Sequence, residues 1–268
     1  MRKASRLSKY FWIFKLDLKQ RIYYLADYVL AGLFIVVILF VFTNLWRTIF
    51  AGRAAIEEFT IVQLIWYLAL TEAITMGNGW RSMFEDVSDE IKSGAIAKYI
   101  TKPISYFGWY FSTYFSRFLN YFLTVFIIGI FVTYFLVGPL QFSMQIIIPL
   151  ILLIILSFVL SFFVGMTFVS FSFWFEDVTA FYWILQKALF ILGGMLVPID
   201  IYPTFVREYL YYLPFSFMTY WTGKYFVQGT AEIFNLVLIG QIAWIAVFFI
   251  ASVIIYKIGI RRVSIHGG

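Results

Sequence analysis

The sequence contains no cysteine and a single histidine, His266, among its 268 residues. Without cysteine the chain has no disulfide, no thiolate metal site and no cysteine nucleophile. One histidine close to the C-terminus excludes most histidine-based catalysis and any histidine metal cluster. The phosphate-binding pattern G-x-x-x-x-G-K-[ST] is also missing, so we do not expect the chain to hydrolyse ATP by itself. We therefore predict no catalytic residue, no metal site and no cofactor bound by this chain.

Charged residues are also scarce, at 13% of the sequence, whereas 63% of the residues are apolar. The apolar residues form six long runs, near 26–46, 59–79, 107–137, 146–174, 178–198 and 233–256. Each run reaches or exceeds the roughly 20 residues that a helix needs to cross a bilayer. No segment between the runs is long enough to form a separate domain. The sequence therefore predicts an all-α polytopic membrane protein, with six transmembrane helices in one transmembrane domain, 1–268.

The distribution of lysine and arginine predicts the orientation of the chain. Of the 20 basic residues, fourteen lie ahead of the first run, between the second and third runs, or after the last run. Only four lie in the loops that would face the opposite side. Positive charge favours the cytoplasmic side, so we predict cytoplasmic N- and C-termini in a cell membrane. The net charge of +6 suits anionic lipid headgroups and gives no specific reason to expect nucleic-acid binding.

The segment 1–24 has too long a charged stretch for a cleavable signal. Six of its apolar residues recur at helical spacing: Leu7, Tyr10, Phe11, Phe14, Leu18 and Ile22. This pattern predicts an amphipathic interfacial helix that lies in the headgroup plane. A plain polybasic topology signal is an open alternative.

The loop 80–106 is the most informative hydrophilic stretch. Four acidic residues lie near its start: Glu85, Asp86, Asp89 and Glu90. Helical spacing would place the first with the third, and the second with the fourth, on adjacent ridges of one short helix. We expect Gly94 to end that helix and a second short helix to end before Pro103. The acidic helix is interpreted as a docking surface for a soluble partner; composition leaves a solvated hairpin loop open as the alternative.

The segment 197–231 is too interrupted by proline to form a span, yet it is strongly aromatic. Its prolines are Pro198, Pro203 and Pro214, and its aromatic residues include Tyr209 and Trp221. We predict two short helices, near 203–212 and 216–228, that dip into the outer leaflet as an extracellular re-entrant segment. Non-helical backbone at that depth needs protein or a wet cavity beside it. An aromatic belt at the interface is a compatible interpretation.

Three ionisable residues fall inside the apolar runs: Glu72, Arg117 and Lys187. Such groups are costly in lipid and normally face a partner or a cavity. At 1.5 Å per residue the depths of Glu72 and Arg117 differ by only a few ångström, which predicts a structural ion pair between them, with substrate contact as the alternative. Lys187, near the middle of the fifth run, is the best single candidate for the substrate path, with snorkelling to the interface and contact with a second protomer as the alternatives.

The tetrapeptide F-E-D-V occurs twice, at Phe84–Val87 and at Phe175–Val178. Both copies follow an even-numbered run, so both are expected at the cytoplasmic face. Acidic residues there suit the positive end of the following helix, and a faint two-span duplication is the other interpretation. Either way, Glu176 and Asp177 are predicted as a second contact for the cytoplasmic partner.

Two stretches resemble a known family, the permease subunits of ABC-2 type ABC exporters. The first, from Gly94 to Ser105, is G-A-I-A-K-Y-I-T-K-P-I-S, and it is similar to a recurring Gly-x-(Leu/Ile)-x₃-Leu-x-(Arg/Lys)-Pro pattern, with Ile100 where the family tends to carry leucine. The second, from Gly193 to Pro203, is G-G-M-L-V-P-I-D-I-Y-P, followed by Y-L-P-F. In that family a similar stretch ends the fifth span. With the six runs, the resemblance covers essentially the whole chain.

The resemblance implies a permease subunit that forms the translocation pathway as a dimer with a second permease chain, identical or related. It implies two separate ATPase subunits, which bind ATP and Mg²⁺ and contact the loop 80–106. It also implies that the first and fifth spans form the dimer seam and that 197–231 cap the exit path. The substrate does not carry over. A stand-alone secondary transporter or channel is the alternative, although that class usually shows inverted repeats and helices broken in the bilayer middle. A structural membrane scaffold also stays open.

Overall fold

The computed structural model describes residues 6–21, 25–101, 104–141, 143–175 and 177–262. These residues form a helical bundle, with short 3-10 turns between some of the helices. The α-helices are α1 (Arg6–Arg21), α2 (Leu25–Phe50), α3 (Ile61–Gly77), α4 (Trp80–Lys92), α5 (Lys98–Thr101), α6 (Tyr106–Val137), α7 (Ile147–Val169), α8 (Thr179–Leu192), α9 (Thr204–Leu210), α10 (Pro214–Met218), α11 (Tyr220–Gln228) and α12 (Ala231–Gly259).

Helix α3 lies at the centre of the bundle. It packs most extensively against α6 and also contacts α2 and α11, and every residue from 64 to 74 is buried. Helices α7 and α12 form a second closely packed pair. The bundle has two ends. At one end, which we call the α4 end, α3 ends and α6 and α8 begin. At the other end, which we call the α11 end, α3 and α12 begin. The centre of the bundle is therefore a helix whose middle residues are all buried.

Four helices are long and apolar enough to cross a membrane: Ala26–Phe50, Tyr106–Val137, Met144–Phe173 and Ala231–Arg262. They match the first, third, fourth and sixth apolar runs. The second and fifth runs form shorter helices, α3 with 17 residues and α8 with 14. At 1.5 Å per residue these are about 26 and 21 Å long. The expectation that every run forms a helix of about 20 residues or more is therefore wrong for these two.

Local backbone signals limit both short helices. Thr60 starts α3 with a capping box, in which its hydroxyl accepts from the Gln63 backbone N–H and the Gln63 side chain accepts from the Thr60 N–H. Gly79, at φ 62°, turns the chain from α3 into α4. Helix α8 ends where Gly193 is followed by Gly194, whose φ of 64° lies in the left-handed region. The fifth apolar run continues beyond this point, but its helix does not.

Helix α1 confirms the predicted N-terminal helix over residues 6–21; residues 22–24 lie outside the described part. Its Tyr10 hydroxyl accepts a hydrogen bond of 2.9 Å from the Ser105 N–H, and the Tyr10 ring fills the space beside Gly108. The Phe14 ring packs on Phe115 of α6 at 5.6 Å between centroids. Three apolar side chains of the helix are exposed: Phe11, Trp12 and Leu16. The helix thus lies along α6 and leaves part of its apolar surface uncovered.

The loop 80–106 contains the two short helices that the sequence predicts. Helix α4 ends at Lys92, just before Gly94, whose φ is 72°. A 3-10 turn and α5 then continue to residue 101, while the predicted boundary at Pro103 lies outside the described residues. Helix α4 is held against α7 because the Trp80 indole N–H donates to the Ser161 carbonyl at 2.9 Å.

The segment 197–231 contains three short helices where two were predicted. Helix α9 follows Pro203, and α10 begins at Pro214, so prolines stand at both starts. Helix α11 ends at Gly229, whose φ is 65°. Almost every residue of α11 is buried, and Gly223 lies so close to the Tyr67 ring of α3 that an added Cβ would be 2.6 Å away. The segment therefore closes the α11 end by packing directly on the central helix.

Candidate functional site

A cavity of about 550 Å³ lies between α2, α3, α8 and the start of α4. Near the α4 end its lining combines the polar residues Thr75, Asn78, Arg81 and Tyr182 with Met76 and Trp80. Three further polar residues line its middle: Glu72, Gln186 and Lys187. Toward the α11 end the lining is apolar, from Phe42, Leu189, Phe190, Met195 and Leu196. The structure thus brings two of the three predicted intramembrane charges, Glu72 and Lys187, to one cavity.

Glu72 is the deepest charged residue of this cavity. It lies on the last third of α3 and is only 3% exposed. Among the described residues, none donates a hydrogen bond to its carboxylate or forms an ion pair with it. Buried carboxylates usually have such partners because isolated burial is costly. Glu72 therefore contributes to the cavity lining a buried carboxyl that has no partner among the described residues.

Lys187 lies at the rim of the same cavity. Its side chain is exposed, and its ammonium lies 5.9 Å from the centre of the Trp183 ring. The neighbouring Gln186 contributes a side-chain oxygen that is buried without a hydrogen-bond donor in the described part of the chain. The fifth run therefore contributes a charged rim residue and a buried amide.

The predicted ion pair between Glu72 and Arg117 is wrong. The Arg117 guanidinium instead lies 3.0 Å from the Asp86 carboxylate and stacks on the Tyr114 ring. The Tyr114 hydroxyl donates to the same Asp86 oxygen at 2.8 Å. The depth comparison considered only groups within the spans, whereas a long arginine side chain reaches a partner on α4, beyond the end of its span.

The four acidic residues of α4 fall into two pairs, as their spacing predicts. Asp86 faces α6 as described, and Glu90 pairs with Lys98 at 2.5 Å. Glu85 and Asp89 are exposed on the adjacent ridge, where Glu85 pairs with Arg81 at 3.1 Å. Asp86 and Glu90 therefore contact groups outside α4, although the Asp86 side chain is still 46% exposed, whereas Glu85 pairs within α4 and Asp89 is exposed.

The exposed acidic ridge borders a groove of about 250 Å³ between α4 and the start of α8. Its lining includes Glu85, Asp89, Lys92, Asp177, Tyr182 and Trp183. The structure therefore brings the two F-E-D-V copies to one surface. Glu176 lies outside the described residues. Asp177 accepts a hydrogen bond of 2.8 Å from the Thr179 N–H, and its hydrogen bonds to Thr179 hold the pKa of its carboxyl below the ordinary range, with Lys92 adding a smaller effect. Asp177 thus carries a negative charge at the start of α8.

A second polar site lies in the segment that closes the α11 end. The Asp200 carboxylate, 4% exposed, accepts hydrogen bonds from Tyr211 at 3.0 Å, Tyr220 at 2.8 Å and Lys224 at 2.7 Å. Arg207 donates to the Asp200 carbonyl at 2.8 Å. This buried network joins α9 and α11 to the turn that follows Pro198.

The network extends to the loop between α2 and α3. The Lys224 ammonium lies 2.8 Å from Glu58, which also accepts from Gln228 at 3.3 Å. The hydrogen bond from Lys224 holds the pKa of Glu58 below its ordinary value, and partial burial opposes this shift. Lys224 therefore connects one buried and one exposed carboxylate, on two separate parts of the chain.

This network was not predicted from the sequence. Asp200 lies in the Gly193–Pro203 stretch that resembles the family, and Lys224 is one of the four basic residues assigned to the opposite side of the membrane. The available signal was the presence of opposite charges in a segment that is otherwise aromatic and apolar. Of the residues predicted there, Trp221 is buried and donates to the Tyr211 carbonyl at 2.9 Å, whereas Tyr209 is exposed.

No group of three or more histidine, cysteine or acidic side chains that could hold a metal ion occurs among the residues that the structure describes. The carboxylates of Asp86 and Asp200 are joined by arginine, lysine or tyrosine side chains.

Comparison with known proteins agrees with the long apolar helices. A family model described as "ABC-2 family transporter protein" matches residues 21–267, nearly the whole chain. No curated protein gives a significant match to the chain. Because the match extends over all the long apolar helices and both resembling motifs, the assignment does not depend on any single segment. The chain therefore belongs to the ABC-2 family of transporters, as a membrane component that is not itself catalytic.

Proposed function

We propose that the chain is the permease subunit of an ABC exporter, which forms a translocation pathway as a dimer and is driven by two separate ATP-binding subunits. The observation that carries the proposal is the cavity between α2, α3 and α8. Two of these helices expose large apolar side chains beside it, including Phe40 and Val41 of α2 and Ile184 and Ile191 of α8. A second permease chain, identical or related, covers these faces and completes the pathway.

The α4 end faces the cytoplasm in this proposal, and both termini lie on that side of the cell membrane. The exposed ridge of Glu85 and Asp89, with Asp177 across the groove, binds the ATPase subunit. Asp86 and Glu90 act differently, because their carboxylates hold α4 in place through Arg117 and Lys98. Movement of the bound ATPase is thereby transmitted through α4 to the end of α3. ATP and Mg²⁺ bind to the partner subunit.

The segment 197–231 dips into the outer leaflet from the extracellular side and caps the exit of the pathway. Its support is the packing of α11 on α3 and the buried Asp200 network, which satisfies polar groups that lipid would leave unpaired. Exposed aromatic residues such as Tyr209 and Tyr212 lie at the membrane surface, where tyrosine is enriched.

The test is purification of the full chain together with its ATPase, which we expect a neighbouring gene to encode. We expect a complex of two permease chains and two ATPases by native mass spectrometry. The double substitution Glu85→Lys, Asp89→Lys should release the ATPase while the permease stays folded. Glu208→Lys is the matched control, since this exposed glutamate lies at the α11 end.

Three outcomes contradict the proposal. One is an active complex with a single permease chain, and another is a charge-reversed variant that keeps its ATPase. The third is transport driven by an ion gradient with no ATPase present, which would establish the stand-alone transporter instead.

A further inference from the structure

The cavity between α2, α3 and α8 and the Asp200 site each contain a buried carboxylate, but only Asp200 has hydrogen-bond partners among the described residues. Asp200 is 4% exposed and accepts hydrogen bonds from two tyrosines and a lysine. Glu72 is 3% exposed, and no described residue donates to it or pairs with it. One carboxylate is used for structure within the chain. The other lines a cavity of about 550 Å³ and lacks a counter-charge.

The two basic residues of the cavity do not supply that charge. Arg81 lies near the α4 end, is largely exposed, and pairs with Glu85 at 3.1 Å. Lys187 lies at the rim with its ammonium beside the Trp183 ring. Neither group is placed against Glu72. The innermost ionisable group of the cavity is therefore a carboxyl without a basic partner in the described part of the chain.

The rest of the lining suits a large apolar body. Phe34 and Phe42 of α2 and Phe190 of α8 present aromatic rings, of which Phe34 and Phe190 are exposed, and Leu189 and Met195 add buried aliphatic surface. Aromatic faces attract cations as well as apolar groups. The volume lies within the range of about 300–1,000 Å³ that is usual for sites that bind drug-sized molecules.

We propose that the cargo of this transporter is an amphipathic or lipophilic cation whose positive group pairs with Glu72 while its apolar part lies against the aromatic lining. The inference rests on the proposed function, since it names the substrate class of the same cavity. Binding places an opposite charge beside the buried carboxylate, and the site thereby favours cations over anions of the same shape. Glu72 is the specificity-determining residue.

The test uses two probes that match in size and shape and differ in the sign of their charge, tetraphenylphosphonium and tetraphenylborate. Binding of each to the purified full chain in nanodiscs is measured by equilibrium dialysis, with protein-free nanodiscs subtracted because both ions partition into lipid. We expect wild-type protein to bind the phosphonium at least tenfold more tightly than the borate. Glu72→Gln should lose this preference, whereas Lys187→Gln should keep it.

Equal binding of the two ions by the wild type overturns the proposal, as does a phosphonium preference that survives in a folded Glu72→Gln variant. If that variant does not fold, Glu72→Asp decides, because retraction of the carboxylate should weaken phosphonium binding and leave borate binding unchanged. The test of the proposed function is independent of this one. A cation preference in a protein with no associated ATPase would support the Glu72 site and contradict the proposed function. An ATP-driven dimer without the preference would contradict only the Glu72 site.

Discussion

Lys224 and Asp200 lie on different short elements, yet their charged groups are 2.7 Å apart and their side chains are only 9% and 5% exposed. Removal of one member of a buried pair leaves the other charge without compensation. The two residues therefore stabilise the closed α11 end only together, and they define the first prediction.

Lys224→Met or Asp200→Asn alone is expected to lower the free energy of unfolding by about 3–5 kcal/mol. The double variant should recover part of that loss, because no buried charge remains. Thermal and chemical unfolding of the purified protein measure all three. Glu57→Gln is the control: its carboxylate lies 3.7 Å from Arg207 and is half exposed, so its loss should cost less than about 1 kcal/mol. Strict additivity of the two single variants would contradict the pair.

We expect Glu58 to contribute to the stability of the folded protein in a way that is lost in acid. Its folded pKa lies below its ordinary value of 4.5 because Lys224 donates to it. A lowered folded pKa means that the stabilisation is fully present above the unfolded pKa and is lost as the pH falls through the folded pKa. The difference in unfolding temperature between wild type and Glu58→Gln should therefore be constant near neutral pH, start to fall near the ordinary value of 4.5, and disappear below the folded pKa. A difference that is independent of pH would show that Glu58 acts without its charge.

Asp86 and Asp89 are three residues apart on α4, and replacement of each by asparagine should affect a different property: stability for Asp86 and ATPase binding for Asp89. Asp86→Asn weakens the contact with Arg117, whose side chain is 19% exposed, and should cost about 1–3 kcal/mol of stability. Asp89→Asn should leave stability within about 0.5 kcal/mol and instead weaken binding of the ATPase. Unfolding and co-purification of each variant separate the effects. If both variants behave alike, the division of α4 into an inner and an outer acidic ridge is wrong.

Gly194 and Gly94 form a matched pair for the closing segment. Both have φ in the left-handed region, at 64° and 72°, so alanine should cost about 1–2 kcal/mol at each. Gly94 has open space around it, whereas a Cβ on Gly194 would lie 2.8 Å from Ile199. Gly194→Ala should therefore destabilise the protein more than Gly94→Ala, by about 1 kcal/mol or more. Equal losses in unfolding experiments would mean that Ile199 moves aside without cost.

Much of the helical architecture follows from local signals in the sequence. Gly94 follows the end of α4, as expected. In the closing segment, Pro203 directly precedes α9 and Pro214 is the first residue of α10. These features depend on residues that are adjacent along the chain. The early end of α8 at Gly193–Gly194 was missed because hydropathy continues through both glycines while the left-handed backbone does not.

The candidate sites depended on contacts that local patterns do not determine. The sequence marked Glu72 and Lys187 as costly in lipid, and the structure places both at one cavity. It did not identify the partner of Arg117, because Asp86 lies on a different helix and its distance depends on how α4 folds back against α6. Long-range pairs of this kind are set by packing of whole helices.

The enclosed position of α3 has a consequence for biosynthesis. Helix α11, which covers part of α3, ends at Gln228, roughly 150 residues after α3 ends at Gly77. At about 5–20 residues per second, ribosomes need on the order of ten seconds or more to make the intervening chain. During that interval Tyr67 and Thr71 lack the neighbours that cover them in the finished protein. Nascent α3 is therefore complete well before the helix that covers this part of it has been translated.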